Sequence, residues 1–82
     1  MPARVNPSGM AAYLAFQGGD LAAARSAYER VLTSEPRNSD ALHGLAAVAL
    51  REGRTDSAED YYLRALEADP KDNLAQAGLL DL

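Results

Sequence analysis

His43 is the only histidine of the chain, and cysteine is absent. Few routes to chemistry remain. Nucleophilic catalysis needs a hydroxyl, an imidazole and an orienting carboxylate within hydrogen-bond reach. Asp40 lies three residues before His43, so the two share a face if this stretch is helical. Ser39 falls off that face, and Ser26, Ser34 and Ser57 belong to other segments that cannot converge on it. No catalytic residue is therefore expected, and the chain reads as a non-enzyme. A metal site would have to combine His43 with Asp40 or Asp81. Two or three ligands on an open surface bind weakly, so no metal and no cofactor is expected. No GxxxxGK[ST] phosphate loop occurs, and Gly18–Gly19 follows a helical pattern rather than a strand, which makes it a turn.

Size and charge narrow the classes further. Eighty-two residues form one small domain, which buries about 60–65% of its unfolded surface. A large enclosed active site does not fit. The net charge of −4 argues against nucleic acid, whose binders carry basic patches. No apolar run approaches the ~18 residues of a membrane span, so no direct membrane contact is expected. The start, MPARVNPSG, has one Arg and no apolar core, unlike a secretory signal. It is expected to be a trimmed edge, with any targeting segment of a longer parent outside it.

The chain repeats itself at a spacing of 34. Gly19/Gly53, Ala24/Ala58, Tyr28/Tyr62, Arg30/Arg64, Leu32/Leu66 and Pro36/Pro70 all fall in that register. Ala12/Ala46, Ala15/Ala49, Ala41/Ala75, Gly44/Gly78 and Leu45/Leu79 continue it. Chance explains paired alanines, but not Gly, Tyr and Pro in one common register. Fixed-period self-similarity marks a repeat architecture.

Each unit reads as two helices, A and B. Asn6, Asp20, Asn38, Thr55 and Asp72 are expected N-caps, with Pro7 at a first helical position. Gly53 supplies positive φ after helix A of unit two, and Gly18 and Gly19 break the chain after helix A of unit one. Pro36 and Pro70 stop the B helices by forcing the preceding residue out of helical geometry. The expected units are 5–38 and 39–72, followed by a fifth helix in 73–82 that either caps the stack or begins a third unit. Helix A of unit two, from Ser39 to Glu52, is apolar nearly all round through Leu42, Leu45, Ala46, Ala47, Val48, Ala49 and Leu50, so it must be covered on several sides. The B helices are amphipathic, with Ala58, Tyr62, Ala65 and Leu66 as one stripe. Asp56, Glu59, Asp60 and Glu67 form a solvated face or a patch for a basic partner. Ala12 with Ala24, and Ala46 with Ala58, are expected at the A–B crossings. Tyr28 and Tyr62 are expected to wedge against the next A helix.

With this order of small residue, Gly, Ala, aromatic, aliphatic and terminal Pro, the chain resembles the tetratricopeptide repeat family. Ala24–Tyr28 and Ala58–Tyr62 match its A-x3-aromatic pair, and Pro36 and Pro70 match its late Pro. Ser8 and Leu42 stand where the family has an early Trp, and Ala15 and Ala49 where it has a later aromatic. The resemblance implies an all-α, right-handed superhelical stack that binds a peptide or partner protein in the concave groove of its A helices. Helix geometry nominates Asp40, His43, Ala47 and Arg51 for that groove, with Tyr13, Gln17 and Gly9 in unit one. In the last helix the set is Leu74, Ala77 and Asp81. Lys and Asn clamp a partner's C-terminal carboxylate in some family members. Gly9, Tyr13, His43 and Ala47 stand in those places, so that clamp is not expected. A segment with apolar anchors and an acidic group near Arg51 would suit the groove.

Leu74, Leu79, Leu80 and Leu82 leave apolar surface at the end of the stack, which suits a further helix or a homodimer through the last helix. The chain is also similar in style to repeat regions of bacterial secretion and MSHA-type pilus-biogenesis proteins. That likeness implies a membrane-anchored parent with the repeats outside the cytoplasm, in the periplasm; without it, the expected location is cytoplasmic. The competing readings are a repeat appendage of an enzyme such as a glycosyl- or sulfotransferase, and a self-association module.

Overall fold

The computed structural model describes residues 7–82. Five helices follow one another: α1 (Pro7–Gln17), α2 (Leu21–Ser34), α3 (Ser39–Arg51), α4 (Thr55–Ala68) and α5 (Asn73–Leu80). No strand occurs among the described residues. α1 packs on α2 and α3 on α4, while α3 also packs on both α1 and α2, and α5 on α4.

Most of the expected punctuation is present. Pro7 is the first residue of α1; the expected cap at Asn6 lies outside the described residues. Asp20, Asn38 and Asp72 accept the backbone N–H of Ala23, Ala41 and Ala75 at 3.1, 2.9 and 3.0 Å. Gly19 and Gly53 adopt φ of 84° and 75°, a conformation costly to any residue with a Cβ. The residues before Pro36 and Pro70 leave the helix in non-helical conformations. Thr55 departs from expectation. It is the first residue inside α4, the N-cap position belongs to Arg54, and no side chain caps that end. The Gly53–Arg54 turn enters the helix one residue earlier than a Thr cap requires.

Ala12, Ala24, Ala46 and Ala58 have no exposed surface. These small side chains let the A and B axes approach closely. Leu42, Leu45 and Val48 are the largest fully buried side chains, which makes α3 the covered helix that its apolar circumference requires. Leu50 differs from expectation: it is 43% exposed. Leu79 packs against the second core cluster rather than facing solvent.

The two tyrosines hold the stack together. Tyr28 of α2 lies flat against Gly44 of α3, and Tyr62 of α4 lies likewise against Gly78 of α5. A Cβ at either glycine would overlap the Cζ, Cε1 and Cε2 atoms of the ring. The wedge expected from the 34-residue register is therefore met by a glycine in that same register.

The capping pattern is testable by urea unfolding. Asn38→Ala is expected to cost about 1 kcal/mol, whereas Thr55→Ala stays within about 0.5 kcal/mol. Equal losses would contradict the assignment of the α4 start.

Candidate partner-binding groove

Where α1, α3 and α5 face one another, they enclose an open groove of about 900 Å³. α1 contributes Gly9, Met10 and Tyr13, α3 contributes Asp40, Ala41 and His43, and α5 contributes Leu74. Tyr28 and Val31 of α2 form the floor, with Glu35 and Asn38 at the turn between the units. The volume is within the usual range of ligand sites, about 300–1,000 Å³.

Of the residues nominated from helix geometry, Tyr13, Asp40 and His43 come together here, along with Gly9 and Leu74. Gln17, Ala47, Arg51 and Asp81 do not line it. They lie toward the C-terminal ends of α1, α3 and α5. Arg51 is also occupied: its guanidinium sits over the Phe16 ring, 4.9 Å from the centroid. The spacing implied a handle for an acidic group in the groove; Arg51 lies outside the groove lining. Gly78 and Asp81 instead accompany Tyr62 in the next register, where Asp81 acts on the phenol.

His43 has a partner that its local sequence does not announce. Its Nε2 lies 2.6 Å from Oδ2 of Asp72, 29 residues away. Asp72 is the only buried charged residue among those described. One oxygen caps α5 through Ala75 N–H and the other accepts from His43. Asp40, the expected partner at i−3, is exposed and makes no such bond to His43. Asp72 was legible as a cap; its second role follows from the stacking, which brings the start of α5 over the middle of α3.

Several pKa values follow from this packing. Burial alone would raise the Asp72 carboxyl. The hydrogen bonds from Ala75 N–H and His43, the charge of the imidazole and the Leu74 N–H outweigh it and hold the carboxyl below its ordinary 3.8. Burial, then the charge of Asp40 and the Tyr13 phenol, push the Tyr28 phenol above 10.0. Burial and Asp81 do the same for Tyr62. Both phenols therefore stay protonated at neutral pH.

Polar contacts between units complete the frame. Arg37 donates to the Ala68 carbonyl at 3.0 Å, covering the end of α4. Arg25 pairs with Glu52 at 3.2 Å. That pair is partly exposed and contributes at most about 1 kcal/mol. Among the described residues, no group of three His, Cys, Asp or Glu side chains is placed to hold a metal ion.

Paired helices stacked at a 34-residue period, with a groove on the A-helix side, define a helical-repeat scaffold. The tetratricopeptide repeat model matches residues 10–73, and the chain belongs to that family. Such repeats are in general non-catalytic modules of protein interaction. Curated relatives include a "Cellulose synthase operon protein C" of Komagataeibacter xylinus, 39% identical over 59 residues, covering 72% of this chain and 4% of the relative. The protein of the same name from Komagataeibacter sucrofermentans is 31% identical over 70 residues, covering 85% of this chain and 5% of the relative. The chain thus spans about a twentieth of the length of these relatives. The expected likeness to secretion and pilus-biogenesis proteins is not shown by these matches. No helix among the described residues is long and apolar enough to cross a membrane.

The Asp72 carboxylate carries a pH dependence of defined sign. Its folded-state pKa is depressed, so the unfolded chain binds more protons in the acid range. The stability it contributes is present above pH 3.8 and is lost as pH falls through the lower folded-state value. Asp72→Asn keeps a capping oxygen and removes the titration. Its stability is expected to fall less steeply with acid than that of the wild type, measured by urea unfolding at a series of pH values below 3.8. An unchanged slope would contradict the assignment.

Proposed function

We propose that this chain is a binding scaffold that takes a segment of a partner protein in the groove between α1, α3 and α5. The observation that carries the reading is the convergence of Tyr13, Asp40, His43 and Leu74, from three separate A helices, on one open concavity. On this reading the units run 5–38 and 39–72, with 73–82 closing the far wall. Gln17, Ala47, Arg51 and Asp81 continue the same helix faces beyond the groove. The relatives named for the cellulose synthase operon support a parent that works with a cellulose-synthase system, the repeats docking one of its protein components.

A second reading is self-association through α5. Leu80 is 87% exposed and Leu82 41%, which favours a covered state of this end. Light scattering across a range of concentrations separates it from the first, since a strictly monomeric chain ends it.

The groove reading is tested by site-specific photo-cross-linking in cells that express the parent protein. A cross-linking residue in place of Tyr13 is expected to capture a partner, and the yield should collapse when Asp40→Lys is added. The same residue in place of Glu59, exposed on α4, is the control and should capture little. Equal yields from the two faces would contradict the proposal.

A further inference from the structure

We infer that the groove selects an extended segment with a lysine or arginine between two apolar residues, an inference that rests on the groove being the binding face. The apolar sites are visible. Met10, Tyr13 and Leu74 are 51%, 54% and 60% exposed, and all three line the groove from opposite walls, α1 and α5. Exposed apolar groups gathered in one concavity mark an interaction surface.

The Asp and Glu side chains are the formal charges among the described residues that line those walls. Asp40 stands exposed in the first turn of α3, and Glu35, which accepts from Asn38 Nδ2, lines the same end. No Lys or Arg is among the described lining residues. Three arginines of the described residues are engaged elsewhere: Arg51 covers the Phe16 ring, Arg37 donates to the Ala68 carbonyl, and Arg25 pairs with Glu52. His43 directs Nε2 to Asp72 rather than outward. A concave site lined by one sign of charge concentrates its field on an incoming counter-charge.

Asp40 and Tyr13 line the same groove as Tyr28, so a carboxylate and an aromatic ring share its walls. That pair suits an ammonium or guanidinium group, which gains a charge-assisted hydrogen bond from the carboxylate and attraction to the ring face. An acidic side chain would meet repulsion from Asp40. Successive side chains of an extended segment alternate in direction. The matching pattern is therefore apolar, any residue, basic, any residue, apolar.

The test titrates the isotope-labelled chain with two synthetic peptides at low salt, followed by NMR. One peptide is Leu-Ser-Lys-Ser-Leu and the other Leu-Ser-Glu-Ser-Leu, both with blocked ends. The lysine peptide is expected to shift the amides of Met10, Tyr13, Asp40 and Leu74 and to bind about tenfold more tightly than the glutamate peptide. Asp40→Lys should reverse that order. Asp40→Asn, gentler on the first turn of α3, should abolish it. Equal or tighter binding of the glutamate peptide, or a preference that survives both substitutions, overturns the charge selection and leaves the groove reading standing. If neither peptide shifts the groove amides, both the selection and the groove reading fall.

Discussion

The fold depends on a flat contact between a tyrosine ring and a glycine backbone, made twice. Tyr28 meets Gly44 and Tyr62 meets Gly78, with no room for a Cβ in either place. A ring wedged this closely sets how near each B helix lies to the following A helix. It thereby sets the rotation from one unit to the next. Because both contacts recur at the same register, the same step is taken twice, and α1, α3 and α5 come to face a common concavity. Two small cores of mostly Ala, Leu and Val then close around a geometry already chosen by the two rings.

The groove inherits its character from this arrangement. Tyr28 is both wedge and floor, so the contact that spaces the helices also places a phenol beneath Asp40 and Tyr13. Asp72 ties the far wall to the middle one, as it caps α5 while accepting from His43. Stability and recognition therefore share residues at the groove. The outer faces of α2 and α4 carry exposed charges that do not take part in the stacking.

The period, the helix order and most caps were legible in the sequence because they depend on local rules: Gly for positive φ, Pro as a stop, Asp and Asn as caps. Thr55 misled because a good capping residue sat one position inside the helix. Tyr13, Asp40 and His43 converge at the N-terminal half of the A-helix face, while Arg51 sits over the Phe16 ring. The Phe16 ring that holds Arg51 lies on another helix, and spacing along one helix carries no information about that. The bond between His43 and Asp72 was hidden for the same reason, since it spans the stack. Only the 34-residue register, extended to ask which caps lie over which A helices, gave a route to it.

The tyrosine–glycine wedge is tested most directly by a double-mutant cycle followed by urea unfolding. In the wild type, Gly44→Ala is expected to cost about 1–3 kcal/mol, the usual penalty of overpacking. In a Tyr28→Leu background, where no ring tip reaches position 44, the same substitution should cost nothing or stabilise by up to about 1 kcal/mol through better helix propensity. An equal cost of Gly44→Ala in both backgrounds would show that the ring does not set the helix spacing, and the central claim would fail.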